Sequence, residues 1–424
     1  MLKRPLTVAI VGAGHRSVGY ARYALSHPER LRVVAVAEPN DIRREAVARE
    51  HQIPAAMQFR SYADLANRPP VADAVINGTM DQLHYDSALP LLENGYHMLL
   101  EKPIARTERE VRSLIETARR QERTVMICHV LRYAPFYAKV KELLESGAIG
   151  EIIALHSSEN VSYHHMAVAY IRGRWNSRER SNPMLLAKCC HDLDLIAWYL
   201  SGVPAVRVAS FGSLKQFRPE NAPAGSAARC LDGCRIEASC PYSARANYVT
   251  QNLWGFYAWE PIEHLQNPTV EQKLESLRTD NPFGRCVWHC DNDVVDHQTV
   301  IVEFANGVTA SHNMFGATAR PTRTVHLVGS KGEIEGDMIA GRIILRRPNP
   351  VAGGEYTEET VALDVRGDGH GGGDAHLIAD FVSLLRGEQA SRGVTRIEDS
   401  LTGHLIAFAA DQAMCEQRTV TIEP

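Results

Sequence analysis

Six residues directly after the first apolar run, Gly12-Ala13-Gly14-His15-Arg16-Ser17, have the types needed to hold a pyrophosphate. The chain must turn sharply there and bring backbone N–H groups to a helix N-terminus. Glycine meets both demands because it has no Cβ. The third small position is Ser17 where a glycine is usual, and a small side chain still allows close packing. About twenty residues on, the second apolar run ends at Glu38. A carboxylate at that point accepts hydrogen bonds from ribose hydroxyls and repels a 2′-phosphate, so Glu38 predicts NAD over NADP. Arg43 and Arg44 lie close enough to weaken that preference. A third set, Glu101-Lys102-Pro103, follows the run His97 to Leu100. A lysine at such a strand end can donate to a hydroxyl or carbonyl oxygen, with proline fixing the backbone beside it.

These residues need a parallel sheet to position them. The first 130 residues alternate short apolar runs with amphipathic stretches, the pattern of β-α units. Helices are expected from Asp41, over Leu83 to Asn94 before Gly95, and from Thr107, where Glu110 completes a capping-box pattern. Past Tyr133 the texture changes to long alternating strands, with a hairpin turn at Asn306-Gly307 and a helix over Met184 to Leu200. The expectation is an α/β protein. Residues 1–130 form an N-terminal Rossmann domain with a doubly wound parallel sheet. Residues 131–424 form a C-terminal α+β domain with a large open, mostly antiparallel sheet. The stretch from about 214 to 296 reads as a Cys-containing insertion or a set of long loops.

Taken together, the Gly-x-Gly after the first strand, the acidic end of the second and the Glu-Lys-Pro after the fifth resemble the Gfo/Idh/MocA oxidoreductase family. The resemblance extends to Thr79 and His84 in the loop after the fourth strand. It reaches His191-Asp192-Leu193-Asp194, which is similar to the family's His-x-x-Asp signature on a second-domain helix. It implies an NAD-binding domain followed by a domain whose open sheet helps build a homo-oligomer, a dimer or tetramer. It also implies that Gly12, Gly14, Arg16, Ser17, Glu38, Thr79, His84, Glu101, Lys102, Pro103 and His129 surround the cofactor. By the same resemblance Lys102 contacts the reacting oxygen and His191 is the general acid/base. Imidazole suits that task because its pKa of about 6.5 lies near working pH. Asp194 would orient His191 or touch substrate.

One departure from the family stands out. Where its members often carry an Asp four residues before the histidine, this chain has Ala187, followed by Lys188. Other groups able to take over acid/base work or bind substrate are Arg132, Tyr133, Glu159, Tyr163, His165, Lys188 and His370. The expected activity is hydride transfer to or from a hydroxyl carbon of a sugar, cyclitol or sugar derivative. The glycine-rich run around His370 also resembles a segment of the NAD-dependent glycoside hydrolases of the same fold. They oxidise a sugar transiently at C3, eliminate the aglycone, add water and return the hydride. That run keeps an NAD-dependent glycosidase as the alternative.

The remaining features set boundaries. The nine cysteines are unevenly placed, and Cys230, Cys234, Cys240 and Cys290 could supply four thiolates to a structural zinc, with Cys286 and His289 as substitutes. A net charge of −4 gives no reason to expect a nucleic-acid partner. No apolar run reaches the roughly 18 residues of a membrane span. The start Met1-Leu2-Lys3-Arg4-Pro5 leads into an apolar run too short for a signal peptide, which predicts a cytoplasmic protein acting on a small carbohydrate or cyclitol.

Overall fold

The computed structural model describes residues 4–351, 353–364 and 372–423. His370 lies outside the described residues. The apolar runs become six parallel strands: β1 (Leu6–Val11), β2 (Leu31–Ala37), β3 (Gln58–Phe59), β4 (Ala74–Asn77), β5 (His97–Leu100) and β6 (Val125–Ile127). Their spatial order is β3-β2-β1-β4-β5-β6. The order reverses between β1 and β4, which opens a crevice beyond their C-terminal ends. Gly12, Glu38, Thr79, Glu101 and His129 each stand just past the C-terminal end of a strand.

Both faces of this sheet are covered, so its strands show no polar alternation. Val8 and Ile10 face one apolar layer, and Ala9 and Val11 face the other. The first layer includes Leu377, Ile378, Phe381 and Val382 of the helix Gly373–Arg386, which returns from the far end of the chain. Thr107 and Glu110 form the expected capping box on the helix Glu108–Arg120.

The second sheet has nine strands: β7 (Ile152–Ser162), β8 (Ala205–Ser213), β9 (His297–Phe304), β10 (Thr309–Thr318), β11 (Thr322–Gly329), β12 (Gly332–Asp337), β13 (Arg342–Pro348), β14 (Tyr356–Ala362) and β15 (Val420–Thr421). They run in the order β14-β13-β12-β11-β7-β10-β9-β8-β15, antiparallel except for the pair β7 and β10. The β9–β10 hairpin turns at Asn306-Gly307, where Gly307 has a φ of 85° that favours glycine. The helices Met184–Tyr199 and Leu401–Glu416 pack on each other and on the inner face of this sheet.

The stretch 214–296 is a series of short helical turns plus the helix Val270–Arg278. It reaches back to the first domain. Arg43 pairs with Glu260 and Glu263, and Asn40 Nδ2 donates to Glu263 at 2.6 Å.

Candidate active site

The glycine loop is built for close approach. Gly12 has a φ of 77°, and a Cβ there would lie 2.9 Å from the Gly78 carbonyl oxygen and from the Thr79 backbone. Gly14 caps the helix His15–Ala21. Ser17 is buried so tightly that a Cβ on Gly78 would meet its Oγ at 2.2 Å, which explains why the third position takes a small residue. This cradle fits the backbone side of a dinucleotide.

Glu38 is buried and braces that loop. Its carboxylate accepts from the Ala13 N–H at 2.7 Å and the Asn40 N–H at 2.9 Å. Two acceptor oxygens still have lone pairs for ribose hydroxyls. Arg43 is engaged by Glu260 and Glu263, and Arg44 by Asp41 and the Glu38 carbonyl, so both guanidinium groups are turned to acceptors within the chain.

Arg16 ties elements together. It donates to Glu101 at 2.9 Å and, through two nitrogens, to Asp374 at 2.8 Å. Its guanidinium thus joins the glycine loop to the β5 loop and to the returning helix Gly373–Arg386. Glu101 also accepts from the Tyr20 hydroxyl at 2.9 Å and the Lys102 N–H at 3.0 Å. Burial opposes ionisation of Glu101, but Arg16 and Lys102 outweigh it and hold the carboxyl below its ordinary value. The Lys102–Pro103 peptide is cis. His84 is buried between two backbone carbonyls, Pro103 at 2.5 Å and Thr79 at 3.1 Å, and so joins the β4 and β5 loops. Thr79 itself donates to Asn77 Oδ1 at 3.0 Å.

Across the crevice lies the helix Met184–Tyr199, buried at every residue except Lys188. Lys102 Nζ donates to the Ala187 carbonyl at 2.7 Å. The backbone thus offers an acceptor at the position where the sequence lacks the expected carboxylate. One turn further along, the His191 ring stands edge-on to His129, 5.7 Å between centroids. His129 Nε2 lies 2.6 Å from Ser400 Oγ and 3.6 Å from Asp194. Burial pushes His129 well below its ordinary pKa, and His404, Arg132 and Lys102 push the same way, which favours the neutral ring. Asp194 is gripped by Arg132 through two bonds of 2.7 Å. Burial raises the Asp194 carboxyl and Arg132 draws it back, and the two-pronged geometry is that of an ionised pair. Arg132 thereby holds the Asp194 carboxylate in place from the loop after β6. Tyr133 packs near Gly393 and Asp380, beside the returning helix.

A second set of groups lies toward the end of β7. Lys188 Nζ is 3.1 Å from Glu159, whose other oxygen is 2.5 Å from Arg323, which in turn is 3.0 Å from Asp192. This buried chain of alternating charges links β7, β11 and the central helix. Beside it, His165 stacks on Trp254 with centroids 4.3 Å apart. Burial holds His165 well below its ordinary pKa, with Lys188, Arg323 and Lys102 adding to the effect. Lys102 therefore acts on both His129 and His165. Tyr163 lies edge-on to His164 and Tyr242.

Sequence reasoning missed Arg323 and Asp192, whose roles depend on strand register, and missed the insertion's aromatic tip. Phe256 and Tyr257 contact His15 of the glycine loop at 4.8 and 5.4 Å. Burial raises the Tyr257 phenol to about 12, with Asp81 and Glu101 contributing. A Trp-Gly-Phe-Tyr cluster inside a polar insertion was the signal available.

Comparison with known proteins agrees with this architecture. Residues 6–129 match the oxidoreductase family with an NAD-binding Rossmann fold, and residues 141–352 match that family's C-terminal alpha/beta domain. The chain is 25% identical over 328 residues to the oxidoreductase YteT of Bacillus subtilis, covering 73% of this chain and 72% of that protein. It is 26% identical over 199 residues to inositol 2-dehydrogenase 2 of Saccharopolyspora erythraea, covering 46% of this chain and 54% of that relative, about half its length. A levoglucosan dehydrogenase in complex with NADH superposes with a TM-score of 0.71 at 17% identity, covering 99% of this chain and 100% of the other. Among the described residues no helix is long and apolar enough to cross a membrane. The chain belongs to the Gfo/Idh/MocA oxidoreductase family, with an NAD-binding Rossmann domain and a C-terminal α/β domain.

Proposed function

We propose that this protein is an NAD-dependent dehydrogenase that moves a hydride to or from a hydroxyl-bearing carbon of a sugar or cyclitol. The observation that carries the reading is the 2.7 Å bond from Lys102 Nζ to the Ala187 carbonyl, which brings the Rossmann-side lysine to the helix that bears His191. A substrate hydroxyl entering between them exchanges that carbonyl for its own oxygen as the lysine's acceptor. In the oxidative direction, Lys102 stabilises the negative charge that grows on this oxygen. His191 accepts the hydroxyl proton, and the carbon loses its hydride to become a carbonyl. Bound NAD supplies the nicotinamide carbon that takes up or returns the hydride. The Lys188–Glu159–Arg323–Asp192 chain offers charged donors and acceptors to the remaining hydroxyls. The names of the inositol and levoglucosan dehydrogenases among its relatives support a polyhydroxylated substrate.

The test is incubation with NAD and a panel of cyclitols, anhydrosugars and glycosides, following NADH and released aglycone together. NADH formed in step with substrate consumed is the expected result. Free sugar without NADH would replace this reading with the glycosidase. Cofactor choice is tested separately by titration, and NADH should bind clearly more tightly than NADPH. Glu38→Ala should narrow that gap, because it removes the carboxylate that repels a 2′-phosphate. Equal affinities in the unaltered protein would defeat the argument from Glu38.

A further inference from the structure

The insertion gathers four of the nine cysteines around one hollow. Cys230, Cys234, Cys240 and Cys286 line a cavity of about 10 Å³ together with Arg172 and Trp288. That is room for one ion or one water. An antiparallel bridge at Arg229 and Arg285 sets Cys230 and Cys286 diagonally across it: Cys230 N–H donates to Gly284 O at 2.9 Å, and Cys286 N–H to Ala228 O at 2.8 Å. Cys234 and Cys240 follow in the turns after Cys230. The fourth position is thus Cys286 and not Cys290, whose thiol donates to the Cys286 carbonyl at 3.2 Å.

A second observation points to negative charge in this cavity. Arg172 is 1% exposed and donates to the carbonyls of Arg285 and Tyr242 at 2.7 Å, to the Tyr248 hydroxyl at 3.0 Å and to Cys230 Sγ at 3.4 Å. Glu237 lines the same cavity but is engaged by Ser243 and Arg245, and among the described residues no carboxylate pairs with Arg172. A buried guanidinium without a counter-charge is costly. Four thiolates around one divalent ion carry a net charge of −2 and would supply it. The one compact trio of metal-type ligands among the described residues is Cys189, Asp192 and His312, and there Arg323 already neutralises Asp192 at 3.0 Å.

We infer that Cys230, Cys234, Cys240 and Cys286 bind a structural zinc that fastens the root of the insertion. Four thiolates suit a closed tetrahedral zinc site. No three of these sulfurs lie within 4.8 Å of one another as they stand, so zinc binding has to draw the four thiols together. Each thiol gives up its proton as zinc binds, and no oxidant or reductant takes part. The tip of the same insertion contacts His15 and His165, so the metal steadies the cover of the crevice from a distance.

The full chain, purified under reducing conditions without chelator, should contain about one zinc per chain by elemental analysis and native mass spectrometry. Cys240→Ser and Cys286→Ser should each cut zinc content by about tenfold, whereas Cys290→Ser and Cys415→Ser should retain it. A mercurial titration of the unaltered protein needs no variant to fold, and about one zinc per chain should be released as the cysteine thiols react. Folded protein that carries no metal, or that carries iron, overturns the inference. So does loss of zinc in Cys290→Ser with retention in Cys286→Ser. None of these readouts depends on catalysis, so failure of the zinc and failure of the dehydrogenase reading are separable.

Discussion

Lysine at the end of a parallel strand is usually a solvated charge, and what distinguishes Lys102 is the acceptor facing it on the opposite domain. Removing its ammonium takes away a donor whose interaction grows as the substrate oxygen becomes negative. Lys102→Ala should therefore lower kcat by roughly 10²–10³-fold while NADH binding, read by fluorescence titration, stays within about twofold. His191→Ala should cost roughly 10²–10⁴-fold in kcat, the usual range for a general base. His165 is the competitor. Burial first, then Lys188 and Arg323, favour its neutral form, so its protonation falls below the ordinary histidine value of 6.5. If His165 were the base, activity would persist as pH falls through 6.5 and decline only at lower pH. Near-full turnover in His191→Ala, combined with loss in His165→Ala, would move the base from one residue to the other.

The helix Met184–Tyr199 fixes both histidine neighbourhoods, and its own position depends on the Arg132–Asp194 pair. Taking away one member of a buried ion pair leaves the other charge without compensation, at a cost of about 3–5 kcal/mol. Arg132→Leu should therefore lower the unfolding midpoint strongly in denaturant melts, and Arg132→Leu with Asp194→Leu should recover much of the loss. A double variant no more stable than the single one would show that the pair does not hold the helix. The existence of this helix was legible in the sequence, as were the strand runs, the Thr107 capping box and the Asn306-Gly307 hairpin. Each is written in a local pattern of a few residues. The pair itself was not legible, because Arg132 and Asp194 are 62 residues apart and meet only through tertiary packing. The same holds for Glu159 and Arg323, which face each other through the register of β7 and β11. It holds also for the return of Gly373–Arg386 to the first sheet, since its apolar stripe fits any apolar surface. In the proposed metal set, spacing alone favoured Cys290, whereas Cys286 is the one that lines the cavity with Cys230, Cys234 and Cys240.

At the scale of the whole molecule, the two faces of the nine-stranded sheet differ in what covers them. On the inner face Val300, Val302, Ala310 and Met314 are fully buried beneath the helices. On the outer face of β8, β9 and β10, Phe211 is 74% exposed, Ile301 46% and Phe315 42%, among Ser311, Asn313 and Thr299. Strand register places Phe211 opposite Thr299 and Ile301 opposite Ser311, so these side chains share one surface. An open antiparallel sheet with one packed face ordinarily turns polar residues outward. Three large apolar groups on that face mark a surface that another copy of the chain can cover, each contributing about 1.5–3 kcal/mol if fully buried. A homo-oligomer, dimer or tetramer, is therefore expected in sedimentation velocity at micromolar protein. Phe211→Asp with Ile301→Asp should release monomers, because each new carboxylate would have to be desolvated in the interface. The monomers should still bind NADH, since the glycine loop and Glu38 belong to the other sheet. A monomeric unaltered protein, or a double variant that sediments as the parent does, would exclude this face as the interface.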